Sequence, residues 1–128
     1  MATRSYIAKR LPNGDIRAIY CHWDGYPEHN GRILVQNYTD EDKIDALLAL
    51  GALSVLGAEI GEKQDFNKPT EGWCLAYRRD RGEKLQGPGL YSHVRELTGD
   101  ADYVYIWENN GWTCFNDRKQ IELAFEAA

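Results

Sequence analysis

The residues of Asp15–Trp23 divide cleanly into two sets. Ile16, Ala18, Tyr20 and His22 fall on one side, and Arg17, Ile19, Cys21 and Trp23 on the other. Successive side chains of a strand point to opposite faces, so this run reads as a strand. An earlier run, SYIAKR, reads the same way, and the LPNGD between them carries an Asn13-Gly14 step. Both residues of such a step tolerate positive φ, so the two runs are expected to form a hairpin. Late in the chain DYVYIWENNGWTCF repeats the pattern, with Asn110-Gly111 as the expected turn. WCLAYRRD reads as a further strand, placing Trp73, Leu75 and Tyr77 on one face.

Between these runs the period changes. TDEDKIDALLALG sets Ile44, Leu47, Leu48 and Gly51 at i, i+3, i+4 and i+7, the stripe of an amphipathic helix. Thr39 or Asp40 can cap its start, acids fill its first turn and Gly51 can close it. GRILVQNY and LYSHVRELTG read as shorter helices, the latter ending at Gly99. NDRKQIELAFEAA reads as a closing helix with Ile121, Ala124 and Phe125 on its apolar side. ALSVLGAEIGEKQDFNKPTEG, with three glycines and a proline, is a long connection, and RGEKLQGPG is a loop. The expected order is β-β-α-α-β-α-β-β-α. It implies an α+β domain spanning residues 1–128, with a mostly antiparallel sheet of two hairpins plus a central strand and helices packed on one face.

Composition narrows the classes of function. At 128 residues the chain is sized for one domain, and 43% hydrophobic with 27% charged residues describes a globular protein. A net charge of −5 argues against a protein that coats nucleic acid, because that affinity comes from neutralising phosphates. Three widely spaced cysteines with no C-x-x-C suit a reducing cytosol and no disulfide or zinc framework. The start, MATRSYIAKR, lacks the apolar stretch of a signal peptide, and nothing approaches the roughly 20 apolar residues of a membrane span. The expected location is therefore cytoplasmic. Four Trp and eight Tyr are many for this length and lean toward a recognition surface.

The chemistry concentrates in IYCHWDGYPEHNGRIL, Ile19–Leu34. Cys21 and His22 are adjacent in a strand, so they point to opposite faces and cannot act as nucleophile and base for each other. His22, Asp24 and His29 lack the paired spacing of a structural zinc site, so no metal and no cofactor is expected. Asp24-Gly25 and Pro27 break the strand into a turn, and loops on a rigid scaffold are where binding residues gather. His22, Trp23, Asp24 and Tyr26 are thus candidate ligand-binding residues. In a plainer account Trp23 and Tyr26 plug the end of the sheet while Asp24 bonds to nearby backbone. A second cluster, Arg78, Arg79 and Arg81 in YRRDRGEK, has the planar forks that suit phosphate or carboxylate. Its plain alternative is internal pairing with Asp80 and Glu83. The expectation is that both clusters follow strands and frame one shallow site for an anionic ligand.

The run Tyr20-Cys21-His22-Trp23-Asp24-Gly25-Tyr26-Pro27, with KIDALLALGALSVLG, GEKQDF, YRRDRGE and YVYIWENNGWTCF, resembles a family of small phage and prophage proteins across nearly the whole chain. The resemblance implies a phage product acting inside an infected bacterium and carries no catalytic residues with it. By analogy such an accessory protein counters host immunity. It would bind and block a host defence protein, or act as a sponge for a small anionic signalling nucleotide. Membrane and nucleic-acid partners are not expected, and a homo-oligomer is compatible with the sequence. An enzyme using His22, Asp24 and Cys21 on a nucleotide or nucleic acid is the remaining alternative.

Overall fold

The computed structural model describes residues 2–84, 87–117 and 119–123. It is a mixed α+β fold. Strands β1 (Ser5–Arg10) and β2 (Ile16–Cys21) pair antiparallel across a short connection, where Gly14 takes φ +93° and Asn13 Oδ1 accepts from the Asp15 N–H at 3.0 Å. A π-helical turn, Pro27–Gly31, runs into α1 (Arg32–Asn37) and then α2 (Glu41–Ala49). Asp40 caps α2 by accepting from the Asp42 N–H at 3.3 Å. The chain returns as β3 (Leu53–Val55), β4 (Leu75–Ala76), α3 (Tyr77–Arg81), β5 (Gly89–Tyr91) and α4 (Arg95–Thr98). It ends in β6 (Tyr103–Glu108), β7 (Gly111–Asn116) and β8 (Lys119–Ile121).

The eight strands form one sheet in the order β4-β3-β2-β1-β6-β7-β8, with β5 also on β2. This sheet is mixed and not mostly antiparallel. β1 pairs parallel with β6, and β2 parallel with β3. For β2 and β3 the reason is connectivity: α1 and α2 form a crossover that returns the chain to the level of Cys21, where β3 begins at Leu53 in the same direction as β2.

Helices cover both faces, against the expectation of one. Leu34, Tyr38, Ile44, Leu47 and Leu48 from α1, α2 and the residue after α1 pack on Ile7, Ile19, Cys21, Tyr105 and Trp107. On the opposite face Leu97 of α4 packs on Ala8, Ile16, Ala18, Val104 and Ile106. Central strands β1, β2 and β6 are apolar on both sides, and each face requires a cover.

Four other expectations shift. The β6–β7 turn is Asn109-Asn110, both at positive φ (52° and 58°), and Gly111 already pairs with Glu108. The strand expected over WCLAYRRD is only Leu75–Ala76, after which the chain turns into α3. LYSHVRELTG divides into β5 and the single turn α4. Lys119–Ile121 is a strand beside β7 where a helix was expected, because the open edge of β7 offers backbone partners; Ala124 and Phe125 lie outside the described residues.

Candidate functional site

Backbone pairing continues past the end of β2 at Cys21. The His22 and Trp23 N–H groups donate to Leu53 and Ser54 carbonyls at 3.0 Å each, so both residues are pinned beside β3. Asp24 then adopts φ +57°, and Gly25 presses against the start of β1. The Gly25 N–H donates to the Thr3 carbonyl at 2.8 Å, and a Cβ added there would lie 2.8 Å from both Thr3 O and Ser5 Cβ. Only glycine fits that approach.

The turn is locked from beneath by residues the sequence reading did not single out. Asn30 is fully buried, and its Nδ2 donates to Ser5 Oγ at 3.2 Å and to Trp23 O and Cys21 Sγ at 3.5 Å. Its Oδ1 lies 2.8 Å from His29 Nδ1. Tyr105, buried on β6, donates its hydroxyl to the Gly25 carbonyl at 2.6 Å. Burial pushes the Tyr105 phenol far up, so at neutral pH it remains a donor. The Asp24 carboxylate has no hydrogen-bond partner among the described residues, so the expected Asp24-to-backbone bond is not what holds the turn; Asn30 is. The single hint in the sequence was the Asn30-Gly31 step, which reads as turn chemistry and not as a buried polar anchor.

What this frame presents is aromatic. Trp23 is 44% exposed and Tyr26 38%, so neither is a plug buried at the sheet's end. The His22 ring meets Trp23 edge-on at 4.7 Å, and its Nδ1 lies 2.8 Å from the Tyr20 hydroxyl. Tyr20 meets Tyr6 at 5.9 Å, and Tyr6 meets Tyr91 at 6.3 Å. The result is a continuous half-exposed strip, Tyr91–Tyr6–Tyr20–His22–Trp23, across β5, β1 and β2. Edge-to-face contacts of this kind hold rings in fixed relative positions. Beside the strip an open cleft of about 550 Å³ is lined by His22 and Trp23 together with Arg4, Asp100 and Asp102.

The arginines are elsewhere. They lie on α3, whose strand β4 runs antiparallel to β3 while β2 runs parallel to it. Trp23 therefore leads toward Ser54, whereas Tyr77 donates to the Ala52 carbonyl and α3 continues in the opposite direction. No hydrogen bond, ion pair or ring contact joins the two groups among the described residues. Arg79 is consumed internally: Nε and Nη2 donate to Asp80 at 2.8 and 3.1 Å, Nη1 to Ile60 O and Nη2 to Cys74 O at 2.8 Å. Arg81 pairs with Glu83 at 2.8 Å and lies over the Phe66 and Tyr77 rings. Arg78 alone points a largely unused guanidinium outward, beside Gly87.

Buried Asp80 organises this corner. Burial alone would raise its carboxyl, but Arg79 and the N–H groups of Ala76 and Gln64 hydrogen-bond the charged form and hold it below its ordinary value.

The cysteines are all buried and free. Burial pushes the Cys21 and Cys114 thiols up to about 12 and raises that of Cys74. Cys21 shares its face with the α1–α2 core while His22 lies on the other face, so no base is oriented toward it. Among the described residues no group of three His, Cys, Asp or Glu side chains could hold a metal ion, and no helix is long and apolar enough to cross a membrane. Comparison with protein-family models, curated proteins and solved structures yields no match to this chain.

Proposed function

We propose that the protein is a non-catalytic binding protein whose recognition surface is the Trp23–Tyr26 turn. In the setting suggested by the phage-like IYCHWDGYP run, it blocks or sequesters a component of bacterial defence inside the host cell. The observation that carries this reading is the combination of two exposed aromatics with a backbone locked by Asn30 and Tyr105. Exposed Trp and Tyr on a rigid support are the residues that dominate binding energy at protein interfaces, because little conformational freedom is lost when they dock. An enzymatic role through His22, Asp24 and Cys21 has weaker support: a buried thiol with a pKa near 12 and no facing base is a poor nucleophile. The α3 arginines favour a nucleotide sponge less than the sequence did, since Arg79 and Arg81 already have protein partners.

The test is plating of phage on bacteria carrying individual defence systems, with and without the protein. Expression should restore plating against at least one system, and W23A/Y26A should abolish the effect while keeping the wild-type melting temperature. Restoration that is unchanged in the double variant refutes the turn as the recognition surface.

A further inference from the structure

The cleft beside Trp23 combines groups that the turn alone does not explain. Arg4 is exposed, and its guanidinium has no hydrogen-bond or ion-pair partner among the described residues; its bonds are made by its backbone, the N–H donating to Asp102 Oδ2 at 3.1 Å and the carbonyl accepting from the Asp102 and Tyr103 N–H groups at 3.0 and 3.3 Å. The Asp100 carboxylate is likewise exposed and unpaired there, although its backbone N–H donates to Leu97 O and closes α4. The Trp23 indole is 44% exposed, and His22 is fixed at its Nδ1 by Tyr20, which leaves Nε2 without a protein partner among the described residues. One cleft thus holds a stacking surface, a free cation and a free anion, and its volume of about 550 Å³ falls within the roughly 300–1,000 Å³ of small-ligand sites.

We infer that this cleft binds a guanine nucleotide: Trp23 stacks on the base, the Asp100 carboxylate accepts from its N1–H and N2–H, and Arg4 holds the phosphate. The inference rests on Trp23 being a recognition residue, as in the reading above, and adds a ligand to it. The choice of base follows from the acceptor. A carboxylate offers two adjacent acceptor oxygens and no donor. Guanine presents two adjacent N–H donors on one edge and matches it. Adenine and cytosine present one amino donor beside a ring-nitrogen acceptor, which repels a carboxylate. Uracil presents a single N–H between two carbonyls. Arginine's fork suits phosphate oxygens, and a charge-assisted bond of this type is about twice as strong as a neutral one. Because the three groups make no internal hydrogen bonds with their side chains, they can be changed without disturbing the fold.

The experiment is titration of the full chain with GMP, AMP, CMP, UMP and guanosine, read by calorimetry and by Trp fluorescence in W73F/W107F/W112F as well as in the wild type. GMP is expected to bind at least about tenfold more tightly than UMP, since a site built for a hydrogen-bonding edge discriminates by more than about 1.4 kcal/mol, one factor of ten. Asp100→Asn should erase the preference for GMP over UMP. Arg4→Ala should weaken GMP and leave guanosine unchanged. Trp23→Ala should weaken every ligand by about 5- to 150-fold, the loss of one base–aromatic stack. No nucleotide binding, binding without guanine preference, or preference that survives Asp100→Asn each overturns the inference. If nucleotides fail while W23A/Y26A still abolishes restored plating, the ligand is wrong and the recognition surface stands; if nucleotides bind as expected while plating is indifferent to W23A/Y26A, the reverse holds.

Discussion

Asp80 is the residue whose removal the structure prices most clearly. Its side chain is fully buried, and four donors converge on it: the Ala76 N–H at 2.8 Å, the Gln64 N–H at 3.1 Å, and Nε and Nη2 of Arg79. Arg79, whose side chain is 15% exposed, in turn ties Ile60 and Cys74 to α3, so the carboxylate anchors the connection between β3 and β4. Asp80→Ala strands two backbone donors and a guanidinium. Each orphaned buried donor costs about 1–3 kcal/mol, and breaking a buried ion pair from one side costs about 3–5 kcal/mol. Arg79 keeps two carbonyl partners and some solvent, which places the total near the lower end, about 3 kcal/mol. For a domain of this size that is roughly 10 °C in Tm. Thermal and urea unfolding followed by circular dichroism measure it, with Arg81→Ala as control. The Arg81–Glu83 pair is exposed on both sides (48% and 41%), and such pairs contribute about 0–1 kcal/mol. The pH dependence supplies a second reading. The folded Asp80 carboxyl lies below its unfolded value of about 3.9, so its stabilisation is fully present above that value and disappears as pH falls through the folded one. The gap in stability between wild type and Asp80→Asn should therefore be full at pH 6 and shrink below about pH 4. Equal Tm losses for Asp80→Ala and Arg81→Ala, or a gap that is flat down to pH 2, would refute the account.

Three further outcomes are expected. Asn30→Ala should lower stability by about 1–3 kcal/mol and speed hydrogen exchange at the Gly25 amide, because the bonds of the Asn30 amide to Ser5 Oγ, Trp23 O and His29 Nδ1 are lost; unchanged exchange would show that Asn30 does not hold the turn. Gly25→Ala should cost about 1–3 kcal/mol through its clash with Thr3 O and Ser5 Cβ, whereas Gly111→Ala, with open space around it, should stay within about 0.5 kcal/mol; equal unfolding midpoints would contradict this. Cys21, Cys74 and Cys114 should resist a thiol-specific disulfide reagent at pH 8 until the protein unfolds, because all three are buried with raised pKa values; rapid labelling of native protein would count against it.

Local chemistry made some parts of this protein legible without coordinates. The two sets of residues along β2 do go to opposite faces, Ile16 and Ala18 to the α4 side and Ile19 and Cys21 to the α1–α2 side, because backbone pleating alone sets that alternation. The Asp40 cap and the Ile44, Leu47 and Leu48 stripe of α2 follow from spacing within one helix. The turn at Asp24-Gly25 was equally visible as a break in the strand; there Asp24 takes the positive φ and Gly25 makes the close approach to Thr3. Everything that required a distant neighbour was not. Lys119–Ile121 carries a helical period yet pairs as a strand because β7 presents an open edge. The arginines of α3 have no sequence mark to separate Arg79, spent on Asp80 and two carbonyls, from Arg78, which faces outward. Arg4 and Asp100 are unremarkable charges 96 positions apart until β1 and β6 run side by side and bring the residue before one strand against the loop before the other. Periodicity and turn preferences are properties of a few consecutive residues; which strands become neighbours, and hence which side chains share a cleft, depends on burying both faces of one sheet at once.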